Sequence, residues 1–117
     1  MKLDVITSLL GLTDFTPELA GAPVPDVLHG HVSDLLSDVL GNAPEASVLV
    51  TIQVHLNVIA VAVHAGLAAI IFASDREPEP AIRQKAVEQG IYLYGSHESA
   101  FDVVGRLYAL GLRGRHA

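Results

Sequence analysis

An α/β domain in three layers, with a mostly parallel sheet of four or five strands flanked by helices, is the fold this sequence predicts, and three observations predict it. Gly11, Gly66, Gly90 and Gly111 each follow a helical stretch, and each is followed at once by Leu or Ile. That is the pattern of a left-handed helix stop with an apolar residue returning to the core. Residues 48–53 and 68–73 are nearly continuous apolar runs, as expected of strands buried on both faces. Helical stretches separate the runs, and a parallel pair needs such a crossover.

Taken in order, a first helix ends at Gly11. Residues 13–29 hold Pro17, Pro23, Pro25 and Gly21 and read as a loop with one short strand. Residues 30–40 read as a short extended lead-in, a polar break and a helix start. Ser33 is positioned to cap the helix, and Asp34 puts negative charge where the helix dipole favours it. Leu35, Leu36, Val39 and Leu40 are expected to form one buried stripe, with Gly41-Asn42 ending the helix. Over 55–65, the β-branched Val58, Ile59, Val61 and Val63 suit a strand, but the Gly66 stop and the need for a crossover favour helix. Residues 79–89 form an amphipathic helix with Pro78 and Pro80 near its start and Ile82, Ala86 and Val87 turned inward. A third strand covers 91–94. The last helix, 99–110, is expected to turn Phe101, Val104, Leu107 and Tyr108 inward. The domain then spans 1–112, and 113–117, including His116, is expected to be a flexible tail.

At 117 residues the chain makes one domain with a real core. It has no cysteine, which excludes disulfides, thiolate catalysis and cysteine metal sites and points to the cytoplasm. A formal charge of −6 argues against nucleic acid, which needs a basic face. No Asp, Glu, Lys or Arg occurs between Glu45 and Asp75, yet Gln53, His55, Asn57, His64 and Gly66 interrupt that stretch, so no membrane span is expected.

Ligands of parallel α/β sheets bind beyond the carboxyl ends of the strands. Those ends carry Ser33 and Asp34, then Gln53, His55 and Asn57, then Ser74, Asp75 and Arg76, then Gly95, Ser96 and His97. Ser33, Asp34, Gln53, His55, Ser74, Arg76, Ser96 and His97 are therefore the candidate ligand-binding residues, with Arg76 as the donor for an anion. The structural alternative makes Ser33, Asn57 and Ser96 helix caps or turn residues. His29 and His31 alternate, so a strand would point both to one face as a candidate metal pair, though no spacing fixes a third ligand. Asp34 and Asp38, four apart, would share a helix face. No phosphate loop and no nucleophile elbow occur, and no cofactor is implied.

The wording of residues 32–42, Thr51-Ile52-Gln53-Val54-His55, Arg76-Glu77-Pro78 and Gly105-Arg106-Leu107-Tyr108 resembles the DRTGG family, and the likeness runs from Lys2 to Leu112. At the position of the naming motif the chain reads Asp26-Val27-Leu28-His29-Gly30, keeping the Asp and the last Gly and losing the Arg. Members of that family occur alone and fused to pyrophosphatases, phosphate acetyltransferases and relatives of the HPr kinase N-terminal domain. The resemblance implies an HPr kinase N-terminal-like α/β fold and an accessory role in subunit contact and sensing. The expectation is a stand-alone, non-catalytic regulatory or interaction module, homodimeric or bound to a separate protein partner. Its rival is a sensor of an adenine nucleotide or phosphate metabolite at the strand-end rim. A third reading, a phosphate-chemistry enzyme with His55 or His97 as base, requires a histidine oriented by a carboxylate.

Overall fold

The structure is a computed structural model that describes residues 1–115. In chain order it contains α1 (Leu3–Leu10), β1 (Thr13–Asp14), a single 3-10 turn (Pro17–Leu19), β2 (His29–Val32), α2 (Leu36–Asn42), β3 (Ser47–Thr51), α3 (Asn57–Ala65), β4 (Ala69–Phe72), α4 (Pro80–Gln89), β5 (Tyr92–Gly95) and α5 (Ala100–Ala109). The five strands lie in the order β1-β5-β4-β3-β2. All pairings are parallel except that of β1 with β5. From β2 to β5 each strand is laid down beside its predecessor in the same direction. The three crossovers therefore put α2, α3 and α4 on one face. The remaining helices, α1 and α5, cover the other.

Two-residue alternation divides the core between these faces. Leu49, Ile70, Phe72 and Leu93 pack beneath α2, α3 and α4. Val48, Val50, Ala69, Ile71 and Tyr94 pack beneath α1 and α5. Every residue of β3 and β4 is buried, which is why their sequences show continuous apolar runs rather than alternation. Burial pushes the Tyr94 phenol up to about 12, with the nearby Asp14 carboxylate adding to the shift. The glycine stops end α1, α3 and α4 as expected, at φ 61°, 65° and 70°. The apolar residues Leu67 and Ile91 that follow two of them return to the core. Residues 57–65 are helical, because the chain must return across the sheet between two parallel strands, and this overrides their β-branched content. Among the described residues no helix is long and apolar enough to cross a membrane.

The expected stripe of residues 30–40 needs correction. Leu35 is the extended residue before α2, and only Val39 is fully buried; Leu36 is half-buried, while Leu35 and Leu40 are 64% and 53% exposed. The helix is short and packs mainly against α3, so only that side of it is covered. Ser33 does not cap it; its hydroxyl closes a local turn by accepting the Leu35 N–H. Asp34 lies outside the helix, so the Asp34/Asp38 face does not form, and Asp38 alone occupies the first turn.

The inward face expected of the last helix is also corrected. Val103 and Leu107 are the residues of α5 that enter the core, Val104 is half-buried, and Phe101 and Tyr108 stand 86% and 58% exposed. Leu107 is inward as expected, while the packing of α5 on β2 and β3 buries Val103 in place of Phe101 and Tyr108. Arg106 reaches back to the carbonyls of Leu9 and Leu10 at the end of α1 and pairs with Glu98. Beyond Leu112, the Arg113 carbonyl accepts the Gly30 N–H on the outer side of β2, and Arg113 lies 3.7 Å over the Tyr108 ring. Arg115 donates to Asn42. His116 lies outside the described residues.

Candidate functional site

The carboxyl ends of β2, β3, β4 and β5 line up along one rim, as the parallel order requires. The expected residues all stand on it, but they divide into two groups instead of converging. At the β2–β3 end, the Asp34 carboxylate accepts from the Thr51 hydroxyl and the Ile52 N–H, each at 2.8 Å. The Thr51 hydroxyl in turn accepts the Gln53 N–H at 3.0 Å, and the Gln53 amide reaches the Asp34 carbonyl at 3.5 Å. Ser33 donates its N–H to Val50. This group is internally satisfied and ties the ends of two strands together. His55 is exposed, and its Nδ1 accepts the Asn57 N–H. Asn57 is thus part of a turn held by His55 rather than a side-chain cap.

The second group, at the β4–β5 end, surrounds a cavity of about 310 Å³ lined by Thr13, Phe15, Arg76, Glu77, Ser96 and His97, with Asp75 and Gly95 completing it. Ser74 and Asp75 both adopt left-handed backbone, at φ 58° and 59°. Such a conformation costs a non-glycine residue on the order of 1–3 kcal/mol and persists only where neighbours enforce it. Here the Ser74 N–H donates to the Glu98 carbonyl at 2.8 Å, and the Asp75 N–H to the Ser96 carbonyl at 2.9 Å. The loops after β4 and β5 are thereby zipped together. That geometry brings His97 Nδ1 to 3.2 Å from the Asp75 carboxylate. Sequence spacing gave no sign of this pairing, since 22 residues separate the two. Ser96 accepts the Glu98 N–H and so acts as a turn residue, while Ser99, not singled out beforehand, caps α5 by accepting from Asp102. Among the described residues the Arg76 side chain has no hydrogen-bond or ion-pair partner. Ser74 is exposed and contributes through its backbone.

The candidate metal pair behaves differently. His29 and His31 do occupy alternate positions of β2, but His31 Nε2 is 3.0 Å from the Asp38 carboxylate, whose other oxygen accepts from Asn42 at 2.8 Å. Among the described residues no three His, Asp or Glu side chains are grouped to hold a metal ion. The Asn42 hydrogen bond, followed by that of His31, holds the Asp38 carboxyl below its ordinary value of 3.8. A lowered folded value means a contribution to stability that is present above about 3.8 and is lost as pH falls through the folded value. The stability advantage of the parent chain over Asp38→Asn, measured by urea unfolding, is accordingly expected at pH 6 and should shrink below pH 4. An advantage undiminished at pH 2 would refute this assignment.

The expected naming-motif segment, Asp26 to Gly30, lies at the opposite end of the sheet from the rim. Asp26 pairs there with Lys2 at 3.2 Å, Val27 is buried, and Gly30 enters β2.

No family model and no curated protein matches the chain. Among solved structures, it is similar to the crystal structure of the CBS and DRTGG domains of the regulatory region of Clostridium perfringens pyrophosphatase, complexed with its activator diadenosine tetraphosphate. The TM-score is 0.67 at 14% identity, covering 88% of this chain and 44% of that one. The likeness is one of fold. The resemblance seen in the sequence thus holds as a shared α/β architecture, and the chain spans less than half the length of the structure it matches.

Proposed function

We propose that this chain is a non-catalytic regulatory and interaction module that works as a homodimer through the exposed side of α5 and the adjoining edge of β2. The observation that carries the reading is Phe101, a large aromatic side chain left 86% exposed. It stands with Val32, Val104 and Tyr108 around an apolar hollow of about 490 Å³. Apolar surface gathered in this way marks an association site more often than scattered exposed residues do. The stripe is also self-complementary. Phe101, Val104, Gly105 and Tyr108 are spaced evenly about a centre between Val104 and Gly105. Two α5 helices running antiparallel across a two-fold axis would set each Phe101 beside the second copy's Tyr108, as an isologous interface requires. The regulatory part of the reading is supported by the fold shared with a pyrophosphatase regulatory region.

Sedimentation equilibrium of the parent chain and of Phe101→Asp tests this. The parent is expected at twice its 12.4 kDa chain mass in the micromolar range. The substitution should weaken the dimer by about 2 kcal/mol or more, roughly thirtyfold, with the far-ultraviolet spectrum unchanged. A parent chain that stays monomeric throughout that range defeats the proposal.

A further inference from the structure

We infer that the cavity between the ends of β4 and β5 is an anion site for the phosphoryl group of a small phosphorylated metabolite. Its donors are Arg76 and the hydroxyls of Ser96 and Thr13. The Arg76 guanidinium is exposed, lines the cavity and is unpaired among the described residues, so its planar fork is available to two oxygens of one phosphoryl group. His97 donates its Nδ1–H to the Asp75 carboxylate, so its Nε2 adds a donor only when the ring is protonated. The Ser96 hydroxyl accepts from the Glu98 backbone and keeps its own proton to donate.

After Glu77 the chain enters α4 at Pro80, and after His97 it enters α5 at Ala100, where Ser99 caps the helix and Asp102 stands in its first turn. Phe15 closes the floor, with its ring against Gly95 and the Arg83 guanidinium 4.5 Å over its other side. At about 310 Å³ the space lies at the small end of the range for bound metabolites. Two carboxylates line it as well. Both oppose an anion, and neutralising Glu77, the one not hydrogen-bonded to His97, should improve binding.

This site shares no residue with the α5 face, so it can fail while the dimer stands, and the reverse. Calorimetric titration of the full chain with AMP, inorganic phosphate and adenosine tests it. AMP and phosphate are expected to bind once per chain, and adenosine not at all. Arg76→Ala should weaken both at least tenfold, Arg76→Lys should recover part of the loss, and Glu77→Gln should tighten binding severalfold. Equal affinity for phosphate and AMP would make the free anion the ligand, whereas a clear gain for AMP would make it a phosphate monoester; both uphold the site. Absence of binding at millimolar phosphate and AMP overturns the inference, as does binding unchanged in Arg76→Ala or adenosine binding as tightly as AMP.

Discussion

Asp34→Ala is expected to destabilise the domain by about 2 to 3 kcal/mol, because it removes two hydrogen bonds made to a charged acceptor. One of these comes from Thr51, whose side chain is fully buried at the end of β3; the other comes from the Ile52 backbone. The carboxylate is therefore a staple between the ends of two neighbouring strands. For a domain of this size the loss corresponds to a fall in Tm of roughly 8 to 15 °C. Asp34→Asn keeps one acceptor oxygen and should cost less. Thr51→Val removes the buried hydroxyl from the same bond, so a double-mutant cycle between the positions should show clear coupling. A loss in Asp34→Ala below about 0.5 kcal/mol, the range of ordinary surface substitutions, would contradict the staple.

Gly95→Ala is expected to cost about 1 to 3 kcal/mol through overpacking. Gly95 is not at positive φ, so an alanine there meets no backbone obstacle. The obstacle is Phe15: an added Cβ would come within 2.6 Å of its ring. The ring is only 6% exposed and is held between the sheet and Arg83, so it has little room to retreat. Pairing the change with Phe15→Leu, which shortens the opposing side chain, should recover part of the loss. Urea unfolding of the three variants decides the matter, and a Gly95→Ala chain as stable as the parent would remove Phe15 from the floor of the β4–β5 cavity.

The two substitutions mark the limits of what could be read from the chain. Asp34 was legible as a polar residue at a strand end, and its place on the rim followed from the parallel order. Its partner was not, because Thr51 lies 17 residues away and nothing local ties the two. Gly95 carried no stop signal of the kind seen at Gly66 or Gly90, since its requirement is for space rather than for a left-handed backbone. The division of the rim was hidden for a similar reason. Ser33, Gln53, Arg76 and His97 all follow strands, but strand order and the zipping of the loops after β4 and β5 decide which of them meet.

The amino-acid pattern was enough to determine the α/β class, the helix stops, the two buried strands and the crossover helix. The stops and strands rest on backbone propensity, or on burial of both strand faces, within a few residues, whereas the helix followed from the Gly66 stop and the need for a crossover, against its β-branched content. Leu107 was read inward correctly, but tertiary structure alone decided that α5 would bury Val103 and leave Phe101 and Tyr108 outside, and that His97 would face Asp75. Helical periodicity permits either stripe, and only the packing of the helix against β2 and β3 distinguishes them. The meeting of Asp75 and His97 depends likewise on β4 and β5 lying side by side, a long-range pairing that no short stretch of sequence encodes.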